Sequence, residues 1–152
     1  MTDQLSNKQL TVETAAVIIC TYKRPDDLAR CLAALTKQTR QPDEVIIVVR
    51  ETDALTLNFV NARGTHRLPL RVATVAEPGL VAARVSGLSI CSTDLVSFID
   101  DDTIPYPDWL QRVFEHFRHD PQLGGLCGRD RCGDGIRFDD RTKEEVGKLR
   151  WH

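Results

Sequence analysis

With 152 residues, the chain is long enough for one domain with a real hydrophobic core, and its 41% hydrophobic and 28% charged content is that of an ordinary soluble globular protein. Its 20 basic and 22 acidic side chains leave a formal charge of −2, so no basic excess is available to neutralise a phosphate backbone, and nucleic acid is excluded as the expected partner. No stretch approaches the roughly 18 to 20 apolar residues of a membrane span, and residues 1–13 lack the apolar core of an export signal; a chain without a transmembrane segment is expected, with peripheral membrane association left open.

Residues 1–14 are expected to form a flexible N-terminal segment, and residues 15–128 an α/β domain. The continuous apolar run Ala15 to Cys20 predicts a strand buried on both faces. Thr21 to Arg24 break it; Pro25 suits a first helical turn, Asp26 and Asp27 complement the helix dipole, and Leu28, Cys31, Leu32 and Leu35 recur at helical spacing. Val45 to Val49 form a second strand, followed by the charged loop Arg50 to Asp53 and a weaker helix over 54–62 that Gly64 stops. Leu70 to Val75 read as a third strand. Glu77-Pro78-Gly79 then open a helix from Leu80 to about Cys91, with Val81, Val85 and Leu88 marking its apolar face and Arg84 near its start.

Leu95 to Ile99 predict a fourth strand that ends in three consecutive carboxylates, Asp100, Asp101 and Asp102. Adjacent carboxylates repel one another and no strand end requires them, so a bound cation is the simplest account of the arrangement. Oxygen donors suit the hard ions Mg²⁺ or Mn²⁺, which commonly take one or two protein carboxylates and complete their shell with water and substrate phosphates. Asp108 has a plainer reading, as a cap or opening residue of the next helix. In that helix the stripe Trp109, Leu110, Val113, Phe114 and Phe117 reads as core packing. Leu123 to Gly128 form a short, glycine-weakened fifth strand, and 129–152 alternate in charge with few apolar anchors.

The five cysteines, Cys20, Cys31, Cys91, Cys127 and Cys132, are odd in number and contain no CxxC pair. Most fall in apolar strands or helix faces as small hydrophobes, which fits a reducing cytoplasm. Cys127 and Cys132 have no accompanying His or Cys cluster that would make them a metal site.

Alternating strands and helices with short connections imply a mostly parallel, Rossmann-like sheet with helices on both faces, whose ligands bind outside the carboxyl ends of the strands. That rule gathers Thr21 to Arg24, Arg50 to Asp53, Asp100 to Asp102 and the nearby Arg84 at one rim, which suits a metal-bridged diphosphate. No GxGxxG follows the first strand and no GxxxxGK[ST] occurs, which removes the main support for a dinucleotide redox enzyme and for a P-loop NTPase. A haloacid-dehalogenase-like phosphatase is a rival, with Asp100 as nucleophile and Asp102 as acid, but its motif belongs on a first strand.

The segments Val17 to Pro25, Pro42 to Val49, Gly79 to Arg84, and Phe98 to Asp102 with Pro107 to Leu110 together resemble the nucleotide-binding half of family 2 glycosyltransferases with the glycosyltransferase A fold. The resemblance covers about 15–128. It implies metal-dependent transfer of a sugar from a nucleoside diphosphate sugar to an acceptor hydroxyl on a carbohydrate or lipid-linked acceptor, usually with inversion. A catalytically inert nucleotide-sugar-binding fragment is the alternative of a different class. By the same resemblance Thr21 lines the nucleoside pocket, Asp100 and Asp102 match the ends of the DxD element with Asp102 the foremost metal ligand, Asp101 contacts donor ribose or sugar, and Arg84 lies near the donor phosphates. Two departures stand out. Where the family often ends its second strand in paired acids, one of them on the base, this chain has Val49 and Arg50, with Glu51 and Asp53 beyond; Glu51 is carried as a donor-binding candidate. Val85 stands where the family commonly has Asn. The catalytic base is expected beyond the chain end, Asp130 is the nearby acid considered for sugar or acceptor contact, and 129–152 are expected to be the poorly anchored start of an acceptor-side region that is cut short.

Overall fold

The structure, a computed structural model, describes residues 12–63 and 67–128 and the backbone of 148–150. In chain order its elements are β1 (Ala15–Thr21), α1 (Pro25–Leu35), β2 (Glu44–Arg50), α2 (Ala54–Arg63), β3 (Leu70–Val75), α3 (Leu80–Ile90), β4 (Leu95–Asp100), α4 (Trp109–His119), β5 (Leu123–Leu126) and β6 (Lys148–Arg150). Contacts divide the chain into two units, one spanning 12–112 and one that contains β5 and β6.

The larger unit is built on a parallel sheet of order β3-β2-β1-β4. Its two central strands, β1 and β2, carry the longest apolar runs because both of their faces are covered: Val17, Ile18 and Ile19, and Val45 through Val49, are at most 1% exposed. Each such side chain contributes roughly 1.5–3 kcal/mol on burial. Handedness then sorts the helices. Right-handed crossovers from β1 to β2 and from β2 to β3 step in one direction and put α1 and α2 on one face, whereas the crossover from β3 to β4 steps back across the sheet and puts α3 on the other. The strand order therefore reverses between β1 and β4, and the crevice at their carboxyl ends is where sheets of this kind take ligands.

α1 forms as its sequence dictates, with Pro25 in its first turn and Leu28, Cys31, Leu32 and Leu35 buried. α3 does not. Val81, Val85 and Leu88, expected to be its packing face, are 77%, 60% and 44% exposed. The face against the sheet is the one that carries Gly87: Ala83 and Ile90, on either side of it, pack on a cluster of Ile18, Ile46, Val48 and Ala73. A Cβ at Gly87 would come 2.7 Å from Ile18 Cγ2 and 2.9 Å from Val48 Cγ2, so the helix approaches as closely as it does because that position has no side chain. Backbone proximity, not side-chain size, selected the buried face.

The loop after β4 is held from the α1–β2 connection. Gln38, 4% exposed, donates through Nε2 to the Tyr106 carbonyl at 2.7 Å and accepts the Leu110 amide on Oε1 at 3.0 Å. In α4, Leu110 and Phe114 are buried, as the apolar stripe predicts. Asp108 sits just before this helix, where its carboxylate pairs with Arg112. β5 falls inside the expected fifth-strand region, but it belongs to a separate two-stranded sheet and pairs antiparallel with β6, Leu126 opposite Lys148. Of the tail expected to be poorly anchored, 129–147 with Asp130 and Cys132, and 151–152, lie outside the described residues. Among the described residues no helix is long and apolar enough to cross a membrane.

Candidate functional site

β1 and β4 run side by side with Cys20 opposite Asp100, so Thr21 and Asp101 leave the sheet together. The Thr21 hydroxyl donates to Asp101 Oδ2 at 2.8 Å. From the loop that follows, Arg24 Nη1 lies 3.3 Å from Asp101 Oδ1 and 3.4 Å from Asp102 Oδ2. Asp101 is thus buried, at 6% exposure, with a partner on each oxygen, while Asp100 and Asp102 face solvent. The Asp100 carbonyl closes the turn by accepting the Thr103 amide at 3.1 Å and the Cys31 thiol at 3.8 Å. Three consecutive acids are in this way divided: one is tied into the scaffold and two are presented.

The β1–α1 loop that carries Arg24 is itself fixed. Lys23 adopts φ +57°, in the left-handed region, and its amide donates to Asp53 Oδ2 at 2.6 Å. Asp53 is 1% exposed and also accepts the Thr56 amide at 3.1 Å and the Thr56 hydroxyl at 2.7 Å, which makes it the cap of α2. Burial alone would raise its pKa, but these hydrogen bonds and the Lys23 charge prevail and hold it below the usual carboxylate value. Its two oxygens are committed to structure. Glu51 is exposed in the turn after β2, with its amide on the Val75 carbonyl at 3.2 Å. Nearby, the Tyr22 ring has Lys23 Nζ at 5.1 Å and Arg50 Cζ at 5.6 Å from its centre, so this part of the rim is aromatic and cationic.

Arg84, near the start of α3, stacks over Phe98 of β4 at 5.3 Å. It reaches the same neighbourhood as the triplet: the Cys20 thiol is raised above its ordinary pKa mainly by burial, with the Arg84 charge opposing and those of Asp100 and Asp101 adding. The Cys31 thiol is pushed up to about 12 by burial and then by Asp101 and Asp102, which keeps it protonated and removes it as a nucleophile. The structure therefore brings Thr21 and the three acids together at the carboxyl ends of β1 and β4, with Arg84 over the neighbouring Phe98, and leaves Glu51 exposed in the turn after β2.

Among the described residues no group of three or more His, Cys, Asp or Glu side chains is set to hold a metal ion by itself. Mg²⁺ and Mn²⁺ typically take one or two protein carboxylates and leave the remaining positions to water and phosphate. Asp102, exposed and already facing the positive guanidinium of Arg24, has the donor chemistry such an ion requires, and Asp100 is the second exposed carboxylate of the turn. Three contributors were not singled out as site residues in the sequence. Arg24 reads there as one charge in a polar loop and Gln38 as one polar residue in a connection, while the signal for Asp53 is its spacing of three from Thr56 ahead of a helix.

A family model described as "Glycosyl transferase family 2" matches residues 16–151. The chain is 28% identical over 139 residues to the amylovoran biosynthesis glycosyltransferase AmsE of Erwinia amylovora, covering 88% of this chain and 50% of that protein. It is 25% identical over 119 residues to a glucosyl-dolichyl phosphate glucuronosyltransferase of Haloferax volcanii, covering 74% and 37%. Among solved structures, S. aureus TarS 1–349 in complex with UDP-GlcNAc superposes with a TM-score of 0.61 at 22% identity, over 79% of this chain and 37% of that one. The mannosyltransferase PcManGT of Pyrobaculum calidifontis, in complex with GDP-Man and Mn²⁺, gives 0.65 at 24% identity over 72% and 33%. The chain spans about half the length, or less, of these relatives.

Proposed function

Since the chain belongs to glycosyl transferase family 2 and has the sheet and flanking helices of the glycosyltransferase A fold, we propose that it binds a nucleoside diphosphate sugar across the carboxyl ends of β1 and β4. In the transferase it represents, the acceptor oxygen bonds to the anomeric carbon as the bond from that carbon to the diphosphate breaks. One displacement of this kind inverts the anomeric centre. The acceptor proton passes to a base supplied from the acceptor side, and the nucleoside diphosphate is the leaving group.

The observation that carries this reading is the division of the acid triplet, with Asp101 locked by Thr21 and Arg24 while Asp100 and Asp102 are offered to solvent. Asp102, with Asp100 beside it, is the group we assign to hold Mg²⁺ or Mn²⁺. Such an ion, when bound, supplies Lewis-acid stabilisation of the charge that grows on the departing diphosphate. Asp101 and Thr21 keep the turn rigid and at the correct height. Arg84 supplies positive charge from the opposite wall of the crevice, and Tyr22 with Glu51 borders the side toward β2, where we place the nucleoside. The phosphatase alternative finds no support, because Asp100 ends the fourth strand and not the first.

The names of the neighbours favour nucleotide-sugar donors of more than one base, UDP-GlcNAc in one and GDP-Man with Mn²⁺ in the other. A relative named for glucosyl-dolichyl phosphate supports a lipid-linked as well as a carbohydrate acceptor. Cys20, Cys31 and Cys91 are free thiols, in keeping with a reducing compartment and with action in the cytoplasm. Calorimetric titration of UDP, GDP, dTDP and CDP, each with Mn²⁺ and with chelator, tests the reading. We expect one nucleotide to bind in a metal-dependent way, and binding in Asp102→Ala to weaken at least tenfold; equal affinity with Mn²⁺ and with chelator would remove the metal role.

A further inference from the structure

We propose that Arg24 is a positioning residue of the donor site: a built-in counter-cation that holds Asp101 and Asp102 together before ligand arrives, gives up Asp102 to the divalent cation, and then turns its freed donors to the diphosphate. The inference rests on the nucleotide-sugar reading above and deepens it.

Its basis is an inequality between two contacts of almost equal length. Arg24 Nη1 meets Asp101 Oδ1 at 3.3 Å and Asp102 Oδ2 at 3.4 Å, but the Asp101 side chain is 8% exposed and that of Asp102 58%. Removing a cation from a buried carboxylate leaves an uncompensated charge, which is strongly unfavourable; removing it from a solvated one costs little. Asp101 has its other oxygen on the Thr21 hydroxyl, so its place is fixed twice. Exchange is therefore easy on the Asp102 side and resisted on the Asp101 side.

The arginine is mounted to suit such an exchange. Its backbone is pinned from two directions, by the Lys23 amide on Asp53 at 2.6 Å and by Pro25 in the first turn of α1. The side chain, in contrast, is 55% exposed and makes no cap hydrogen bond to its own helix. A guanidinium carries five N–H donors in a planar fork, so one that keeps Asp101 and loses Asp102 retains donors for a phosphate oxygen, in the geometry that Arg–phosphate pairs favour. Arg24 thus competes with the metal at Asp102 and cooperates with it once phosphate is present.

Opposite signs in two titrations test this on the whole chain. With Mn²⁺ alone, Arg24→Gln should bind the ion about two- to fivefold more tightly than wild type, the scale of a half-exposed ion pair removed as competitor. With saturating Mn²⁺, the same variant should bind UDP or GDP roughly tenfold more weakly, as expected for loss of a hydrogen bond between charged groups. A merely structural arginine would weaken both, so unchanged or weaker Mn²⁺ binding in Arg24→Gln overturns the competitor role, and unchanged nucleotide affinity overturns the phosphate role. Should Arg24→Gln fail to fold, Arg24→Lys carries the test. An ammonium keeps the charge but lacks the planar fork that suits phosphate, so with saturating Mn²⁺ Arg24→Lys should bind UDP or GDP more weakly than wild type, and unchanged nucleotide affinity overturns the proposal. Failure of the underlying reading looks different: wild type itself would take up UDP and GDP no better with Mn²⁺ than with chelator.

Discussion

The parallel sheet carries acids at both of its rims, and the two sets are used in opposite ways. At the amino ends of the strands, Asp43 Oδ2 accepts the Ala15 amide and an Arg40 N–H, both at 2.9 Å. Glu44 pairs with Arg71, and Asp94 Oδ2 accepts the Glu13 and Thr14 amides and the Thr14 hydroxyl. These carboxylates satisfy backbone donors where strands begin. At the carboxyl ends, Asp100 and Asp102 lie in solvent, and the partner found for Asp102 is a half-exposed guanidinium rather than an amide. Acidity alone does not locate a site; what matters is whether the acceptors are already satisfied by the fold. Asp53 is the instructive exception, an acid of the carboxyl rim that is employed in the manner of the amino rim.

The comparison can be broken first at that exception. Asp53→Ala removes the cap of α2 and orphans the Lys23 amide, and we expect a loss of roughly 2–3 kcal/mol in urea unfolding. Nucleotide binding should fall only as the β1–α1 loop loosens. A loss below about 0.5 kcal/mol would mean that Asp53 is spare for ligand after all. Asp43→Ala, on the other rim, should cost a smaller 1–2 kcal/mol or so, with metal-dependent nucleotide affinity unchanged. A drop in that affinity without a drop in stability would erase the distinction between the rims.

The mildest test is acid. Hydrogen bonds from the Thr14 amide and hydroxyl and the Glu13 amide hold Asp94 below the ordinary carboxylate value, and Asp53 is lowered as well. In both cases the unfolded chain binds the proton more readily than the native one. Their contribution to stability is therefore complete above about pH 4, the unfolded value, and is lost as pH falls through the native pKa values. Unfolding free energy measured from pH 6 to pH 2 should decline over that interval, and Asp53→Asn should flatten the decline; an unchanged acid limb would contradict the assigned cause.

Much of this was legible in the sequence, for reasons that differ between elements. β1 and β2 announce themselves because a strand covered on both faces must be apolar throughout, and Val17 to Ile19 and Val45 to Val49 are. The acid triplet is legible because mutual repulsion at a strand end demands an explanation. The outer face of α3 misleads, since Val81, Val85 and Leu88 form a convincing apolar stripe, while the true packing face is set by Gly87, whose contribution is the absence of a side chain. β6 leaves no trace, because Lys-Leu-Arg is too short for a period of two to register. Arg24 escapes notice because its importance lies in a contact across 77 positions with Asp101, and no local pattern encodes such a distance.

Gly87 has one further consequence, for a residue that never touches it. α3 rests on the sheet at a clearance set by a hydrogen atom, and Arg84 rides on the same rod one turn earlier. A methyl group at position 87 would work as a wedge under the helix, lifting or tilting it away from Ile18 and Val48, and the cation one turn away would move with it. The aim of the guanidinium over Phe98 and the crevice is in this sense levelled from the core, so that a substitution deep in the packing would be felt as a change of electrostatics at the mouth.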